Sequence, residues 1–134
     1  MKKCVLIVED DADILDILQI SLDRPDLKII TYTKLPTQQE VSLLSPDLVI
    51  MDIRIFGSPK TGDQLCVELK SSRDTCHIPV ILLSAEYRLA EISIQCQADS
   101  YITKPFDIIK LSNTIFKYLD AIGQTSIDTT PAES

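Results

Sequence analysis

Five polar side chains follow directly on short apolar runs of the sequence, and their types point to one chemistry. They comprise three carboxylates, a hydroxyl and an ammonium: Glu9, Asp10, Asp52, Ser84 and Lys104. Three carboxylates brought close together repel one another, so their pKa values would rise unless a cation joined them. Carboxylate oxygens without imidazole or thiolate favour Mg²⁺, which keeps positions open for water and phosphate oxygens. If the fold brings these residues together, they predict a magnesium site next to a lysine.

A cation, an ammonium and a hydroxyl at one place could hold a phosphoryl group. Stabilising the charge on the phosphoryl oxygens is most of what catalysis of phosphoryl transfer requires. A carboxylate can itself be the nucleophile, which gives an acyl phosphate. Asp52 is the best candidate for this role, because it is the lone acid at the end of the central apolar run.

Apolar runs of strand length alternate with helical patterns along the chain. Strands are predicted at residues 4–8, 27–33, 48–53, 78–83 and 99–103. These runs are short, apolar and rich in β-branched residues, as buried strands are. Asp11 and Asp13 suit the start of the first helix, where the helix dipole favours anions. Capping boxes that begin at Thr37 and Thr61 predict two further helix starts.

Five strand–helix units predict an α/β fold, a doubly wound five-stranded parallel sheet with helices on both faces. Five units are fewer than a closed eight-unit barrel needs. Open sheets of this kind bind ligands at the carboxyl ends of the strands, which is where the five polar residues stand. We predict one domain over residues 1–123, with a helix stop at Gly123, and a disordered polar tail over residues 124–134.

The composition is that of a globular domain with an acidic surface. The chain has 134 residues and a net charge of −7. Binding to nucleic acid through phosphate contacts needs clustered Lys and Arg, so no direct nucleic acid partner is expected. No apolar run is long enough for a membrane span or a signal peptide. The prediction is a cytoplasmic protein with no membrane partner.

Cysteine and histidine residues could suggest a second metal site. Cys66, Cys76, His77 and Cys96 have spacings that fit no standard zinc site. Together with Cys4, these cysteines are predicted to be reduced thiols in the core or on the surface.

Four short motifs carry a resemblance to a known family. They are Val8-Glu9-Asp10-Asp11, Leu48-Val49-Ile50-Met51-Asp52, Leu83-Ser84-Ala85 and Tyr101-Ile102-Thr103-Lys104-Pro105-Phe106. Each motif alone is weak, but all four stand in order at predicted strand ends. Across about residues 3–122 the chain resembles the receiver domain of two-component response regulators, in the single-domain form. The resemblance implies a flavodoxin-like sheet with the strand order 2-1-3-4-5.

The resemblance also implies a role for each site residue. In this reading the roles are the acidic metal pair Glu9 and Asp10, the phosphoacceptor and metal ligand Asp52, a metal-binding backbone carbonyl of Arg54, the hydroxyl switch Ser84, the aromatic switch Tyr101 and the phosphate-binding Lys104. Mg²⁺ is the implied cofactor.

The implied mechanism is a phosphorelay. A sensor histidine kinase or a histidine phosphotransfer protein would donate the phosphoryl group to Asp52. Ser84 and Lys104 would then be drawn to the new dianion, and Tyr101 would turn inward. The face formed by the fourth helix, the fifth strand and the fifth helix would change its affinity for a downstream protein. The chain would not be an enzyme beyond catalysing its own phosphorylation and dephosphorylation, and it is expected to be a monomer or a weak phosphorylation-dependent dimer.

The segment after Asp52 departs from the family pattern. The family usually has Met-Pro shortly after the phosphoacceptor and then a glycine, whereas here residues 55–61 intervene before Gly62 and contain no Met-Pro. Arg54 and Glu86 occupy the two positions that, in the family, tune hydrolysis of the acyl phosphate. They could pair across the site entrance and limit the access of water.

Three other functions fit parts of the pattern. An inactive receiver would act as a phosphorylation-independent interaction module; the altered loop favours it slightly, and the complete acidic set argues against it. A phosphatase of the haloacid dehalogenase type needs a second Asp two residues after its nucleophile, where this chain has Arg54. A flavin or nucleotide carrier needs a Gly-rich or Ser/Thr-rich loop after the first strand, where Glu9-Asp10-Asp11 would repel a phosphate.

Few residues follow the last predicted helix, too few for an output domain. We therefore expect the protein to signal through a partner or to pass its phosphoryl group onward, unless the chain is part of a longer one.

Overall fold

The chain folds into one parallel sheet flanked by helices. The computed structural model describes residues 2–128, with side chains described as far as residue 121. The strands are β1 Lys3–Val8, β2 Leu27–Tyr32, β3 Leu48–Met51, β4 Val80–Ser84 and β5 Ser100–Thr103. The helices are α1 Ala12–Ser21, α2 Gln38–Leu44, α3 Gly62–Ser71, α4 Leu89–Gln95 and α5 Ile108–Asp128. The sheet order is β2-β1-β3-β4-β5 with every pair parallel, so the predicted fold and order are confirmed.

The sheet is buried on both faces because its central strands β1, β3 and β4 are apolar and buried along most of their length. Along β1, Leu6 and Val8 point to one core cluster, whereas Val5 and Ile7 point to the other. The first cluster is covered by apolar side chains of α2, α3 and α4. The second is covered by side chains of α1 and α5. Each helix therefore lies on the face that a doubly wound sheet requires, and the carboxyl edge of the strands stays open.

The helix starts follow the capping residues. Asp11 is the N-cap of α1, and its side chain accepts hydrogen bonds from the backbone N–H groups of Asp13 and Ile14 at 2.9 and 3.3 Å. Both predicted capping boxes are present, at Thr37 before α2 and at Thr61 before α3. Asp11 is thereby assigned to helix capping, which leaves the two acids before it for the site.

Some element boundaries differ from the prediction. The fourth strand begins at Val80 instead of residue 78, because Pro79 has no N–H to donate to a strand ladder. The weakly amphipathic pattern of the sequence over residues 86–97 predicts a fourth helix, and the structure forms it only over Leu89–Gln95. The third strand ends at Met51, so Asp52 is the first residue beyond it.

The last helix is longer than predicted. It continues through Gly123 to Asp128, so the helix stop placed at Gly123 is wrong. A single glycine costs a helix only about 1 kcal/mol relative to alanine, which does not end a helix by itself. Residues 129–134 of the predicted tail lie outside the described residues, and their predicted disorder stays a prediction. Within the described part of the chain, no helix is long and apolar enough to cross a membrane.

Candidate functional site

The carboxyl edge of the sheet gathers the polar residues that the sequence singled out. Glu9 and Asp52 follow the paired central strands β1 and β3, and the Asp52 N–H donates to the Val8 carbonyl at 3.0 Å. Ser84 ends β4, and its carbonyl accepts from the Lys104 N–H at 2.9 Å. Because neighbouring parallel strands end at the same edge, residues far apart in sequence meet there.

Three carboxylates at this edge form a compact oxygen cluster. One carboxylate oxygen from each of Glu9, Asp10 and Asp52 lies within 4.8 Å of the other two. Glu9 is buried and Asp10 is exposed, so the cluster extends from the interior to the surface. Only oxygen donors are offered, which fits a hard divalent cation such as Mg²⁺ and does not fit a thiolate-binding metal. The predicted metal-binding acids are therefore brought together.

Lys104 balances the charge of the inner carboxylates. Its Nζ donates to Glu9 Oε1 and to Asp52 Oδ2, each at 2.7 Å. The Lys104 side chain is only 15% exposed, and those of Glu9 and Asp52 are 2% and 12% exposed. Such charge-assisted hydrogen bonds in a partly dry site are stronger than bonds between neutral groups. The three side chains thus form one mostly buried, charge-paired unit.

Burial and charge pairing shift the pKa values of this unit in opposite directions. Burial raises the pKa of Glu9 above its usual range, although the hydrogen bond from Lys104 acts in the opposite direction. Burial alone would lower the pKa of Lys104, but hydrogen bonds to Asp52 and Glu9 outweigh it and raise that pKa. Lys104 therefore stays cationic at neutral pH, next to the carboxylate of Asp52.

The position of Asp52 depends on a close approach of α3. Its Oδ1 accepts from the N–H of Ile53 at 2.6 Å, and the Gly62 N–H donates to the Ile53 carbonyl at 2.6 Å. A Cβ atom at Gly62 would lie 2.0 Å from the Asp52 carbonyl oxygen, closer than any real contact. Only glycine allows the helix to begin so near to the end of β3. The sequence showed Gly62 as a loop glycine and gave no sign of this contact.

The loop between β3 and α3 reaches back to the acidic cluster. The backbone N–H of Phe56 donates to Asp10 Oδ2 at 2.8 Å. Arg54, Phe56 and Lys60 line an open cleft of about 360 Å³ whose wall includes Asp10. This loop is the segment that departs from the family pattern, and the structure places it against Asp10 of the acidic cluster.

A second contact crosses the entrance of the site. The guanidinium of Arg54 forms an ion pair with Glu86, as the sequence suggested. The pairing with Glu86 raises the pKa of Arg54. Nearby, the hydroxyl oxygen of Ser84 accepts from the Glu86 N–H at 3.2 Å, and Ser84 is buried. The Ser84 side chain is therefore bonded to the backbone of the segment that follows β4. The suggested metal-binding role of the Arg54 backbone carbonyl stays a prediction.

Tyr101, the predicted aromatic switch, is on β5 and is 44% exposed. It lines an open cleft of about 310 Å³ together with Thr103, Phe106 and Lys110. Tyr101 is therefore accessible to solvent at the surface.

Among the described residues, the cysteines do not belong to the cluster of possible metal ligands. Cys66 and Cys96 are buried, Cys4 is partly exposed and Cys76 is exposed, and all four are free thiols. The hydrogen bond with Cys96, together with burial, raises the pKa of the Cys66 thiol. The interpretation of the cysteines as core or surface thiols is confirmed.

The fold and the acidic edge define a class of protein, the doubly wound α/β domains that carry acids and a lysine at the carboxyl ends of their strands. Within that class, the family model for the response regulator receiver domain matches residues 5–116. The chain belongs to the receiver domain family of two-component response regulators.

Curated relatives support the same assignment. The heme response regulator HssR of Staphylococcus epidermidis is 35% identical over 113 residues, which cover 79% of this chain and 46% of HssR. The DNA-binding dual master transcriptional regulator RpaA of Synechocystis is 32% identical over 111 residues, covering 78% of this chain and 44% of RpaA. The chain therefore spans about half the length of the curated relatives it matches.

Solved structures match over almost the whole chain. The signal receiver domain of a signal transduction histidine kinase from Syntrophus aciditrophicus is 28% identical, with a TM-score of 0.72. The match covers 98% of this chain and 97% of that domain. The architecture is thus that of a receiver domain.

Proposed function

We propose that the chain is a phosphoryl-accepting receiver in which Asp52 takes the phosphoryl group in the presence of Mg²⁺. One observation carries the proposal: Lys104 Nζ lies 2.7 Å from both Glu9 and Asp52, in a cluster that also includes Asp10. A lysine, a nucleophilic carboxylate and two further acids are the groups that phosphoryl transfer to an aspartate needs.

Glu9, Asp10 and Asp52 would hold the Mg²⁺ ion, with the Arg54 backbone carbonyl as a further ligand. When bound, the ion would shield the carboxylates from the incoming phosphoryl oxygens and stabilise the charge that develops on them. The oxygen-only donor set supports this choice of metal.

Asp52 is the nucleophile of the proposed reaction. Its side chain is 12% exposed, whereas that of Glu9 is 2% exposed, so Asp52 is the more accessible of the two acids bonded to Lys104. A carboxylate oxygen of Asp52 attacks the phosphorus of a phosphohistidine on a sensor kinase or a phosphotransfer protein. The P–N bond breaks, a P–O bond forms, and the electron pair leaves with the imidazole. Lys104 Nζ then faces the phosphoryl oxygens, whose added negative charge it stabilises.

The signal is carried by a change at the end of β4. The Ser84 hydroxyl donates a hydrogen bond to a phosphoryl oxygen. The backbone around Glu86 moves together with Ser84. Tyr101 turns inward, and the surface formed by α4, β5 and α5 changes its affinity for a downstream protein. The exposure of Tyr101 and the hydrogen bond from the Glu86 N–H to Ser84 support this, because both fit the arrangement that the proposal expects before phosphorylation. This is a local charge event that biases a two-state element.

The proposed partners are proteins. The net charge of −7 is unfavourable for binding to nucleic acid, so we propose no direct contact of this chain with DNA, although RpaA is a DNA-binding protein. We also propose that the chain turns over no substrate beyond its own acyl phosphate, and that it is a monomer or a weak phosphorylation-dependent dimer.

The proposal is tested by intact mass spectrometry after incubation with Mg²⁺ and acetyl phosphate. The wild-type protein is expected to gain one phosphoryl group. An Asp52→Asn variant and a sample with the metal chelated are expected to gain none.

A second arm uses a phosphorylated histidine kinase as the donor. If the wild-type protein stays unmodified with both donors, the phosphoacceptor role is wrong and the chain is an inactive receiver that binds partners independently of phosphorylation.

A further inference from the structure

A tight turn directly follows the site. The Ser58 N–H donates to the Ile55 carbonyl at 3.1 Å, which closes a four-residue β-turn. Gly57, at the third position, has a φ of +81°. Phe56, at the second position, has a negative φ. These angles define a type II turn. In such a turn the N–H of the second residue is not used within the turn and is free for another acceptor.

That N–H is the donor to Asp10. The Phe56 nitrogen lies 2.8 Å from Asp10 Oδ2. Among the residues that the structure describes, no other hydrogen bond to the Asp10 side chain occurs. Asp10 is exposed, so without this bond its carboxylate would rotate in water. The Phe56 side chain is 87% exposed, and its ring is not part of the contact.

The turn itself is fixed on two sides. Ser58 Oγ accepts from the N–H of Leu35 at 3.0 Å, which ties the turn to the connection between β2 and α2. At the other end, Lys60 forms an ion pair with Glu68 on α3. The donor that faces Asp10 is therefore held in place by contacts outside the acidic cluster.

We propose that the Phe56 N–H is a positioning group that orients Asp10 for Mg²⁺. The inference rests on the proposed metal-dependent function and adds a residue to it. The amide bonds to Oδ2 and leaves Oδ1 of the same carboxylate for the ion, so the orientation of Asp10 is set before the ion binds. Mutation of a group that orients a metal ligand in this way typically lowers metal affinity by about 10- to 100-fold.

The turn type allows the N–H to be removed with little other change. Proline is common at the second position of a type II turn and has no N–H, so Phe56→Pro removes the donor and keeps the turn. Phe56→Ala removes the ring but keeps the donor, which makes it the matched control.

The test measures the melting temperature of unphosphorylated wild type, Phe56→Pro and Phe56→Ala against Mg²⁺ concentration, which gives each dissociation constant. Phe56→Pro is expected to bind Mg²⁺ about tenfold more weakly than wild type, and Phe56→Ala to bind it as wild type does. The three proteins are expected to melt alike in a chelator, which separates positioning from stability.

Ser58→Ala, which releases the turn from Leu35, is expected to weaken Mg²⁺ binding about threefold and decides the matter if Phe56→Pro does not fold. The positioning role would be overturned if Phe56→Pro bound Mg²⁺ as tightly as wild type. If Phe56→Pro does not fold, the same result with Ser58→Ala would overturn it. A wild-type protein that shows no Mg²⁺ dependence at all would overturn the proposed function instead.

Discussion

The acidic site has two halves that are held by different means. The inner half consists of Glu9, which is buried, and of Asp52 and Lys104, which are mostly buried. Lys104 bonds to both acids, and the strands β1, β3 and β5 place the three residues. The outer half consists of Asp10, Phe56 and the pair of Arg54 and Glu86, which are exposed or partly exposed and depend on loops.

The contrast separates two properties of the protein. Removing one partner of a buried ion pair lowers the free energy of unfolding by several kcal/mol. An exposed ion pair contributes only about 0–1 kcal/mol to it. We therefore expect changes in the inner half to affect both stability and the proposed phosphorylation, and changes in the outer half to affect Mg²⁺ binding and reaction rates with little effect on stability.

The largest effect is expected when the inner half loses its cation. Lys104→Met leaves the carboxylates of Glu9 and Asp52 facing each other without a counter-charge. We expect phosphorylation by acetyl phosphate to slow at least about 100-fold and the free energy of unfolding to fall by about 3 kcal/mol. Intact mass against time and urea denaturation measure the two quantities.

Lys70→Met is the matched control for Lys104→Met. The Lys70 side chain is 11% exposed and pairs with Asp99 at 2.7 Å, away from the site. It should lose stability and keep its phosphorylation rate. Equal loss of phosphorylation in both variants would show that the inner half acts only through the fold.

A smaller effect is expected from the backbone that supports the inner half. Gly62→Ala places a Cβ against the Asp52 carbonyl oxygen and should lower the free energy of unfolding by about 3 kcal/mol, because α3 must shift. Gly57→Ala in the outer loop meets only the Lys34 side chain, at 3.5 Å. It should cost only the strain of a left-handed residue, about 1 kcal/mol.

Urea denaturation of both glycine variants gives this comparison directly. Phosphorylation should also slow in Gly62→Ala, since Asp52 moves with the strand end. If the two variants prove equally stable, the close approach at Gly62 does not constrain the inner half.

The smallest effect is expected at the exposed ion pair. Arg54→Ala removes the contact with Glu86 and opens the entrance to water, so we expect the acyl phosphate to hydrolyse up to about fivefold faster. Decay of the phosphorylated mass after donor removal measures this rate.

Arg88→Ala breaks another exposed arginine–glutamate pair, with Glu91 on α4, and should leave the lifetime unchanged. An unchanged lifetime in Arg54→Ala would show that the pair does not control access of water.

The sequence predicted what depends on periodicity and strand ends. Apolar strand runs and helical periods predicted five strand–helix units, and a parallel sheet must bring Glu9, Asp52 and Lys104 to one edge. The inner half was therefore predictable from residue types and spacing. The pairing of Arg54 with Glu86 came from the resemblance and not from the pattern.

What the sequence did not predict depends on backbone geometry in loops. The donor to Asp10 is a main-chain N–H, which every residue except proline carries. The residue type at position 56 therefore does not predict this hydrogen bond. The close approach at Gly62 depends on how α3 meets β3. The extension of α5 past Gly123 reflects a glycine whose helix cost is too small to end the helix.

Lys104 affects how strongly the folding of the protein depends on divalent ions. Many proteins whose acidic residues meet only around an ion unfold when that ion is withdrawn, so their abundance follows the ion supply. Here an ammonium group from the chain itself, 2.7 Å from two of the three acids, is a resident substitute for the missing ion. We expect the folded fraction to stay nearly constant when the concentration of divalent ions changes. A shortage of the ion would then stop the proposed phosphorylation without unfolding the protein.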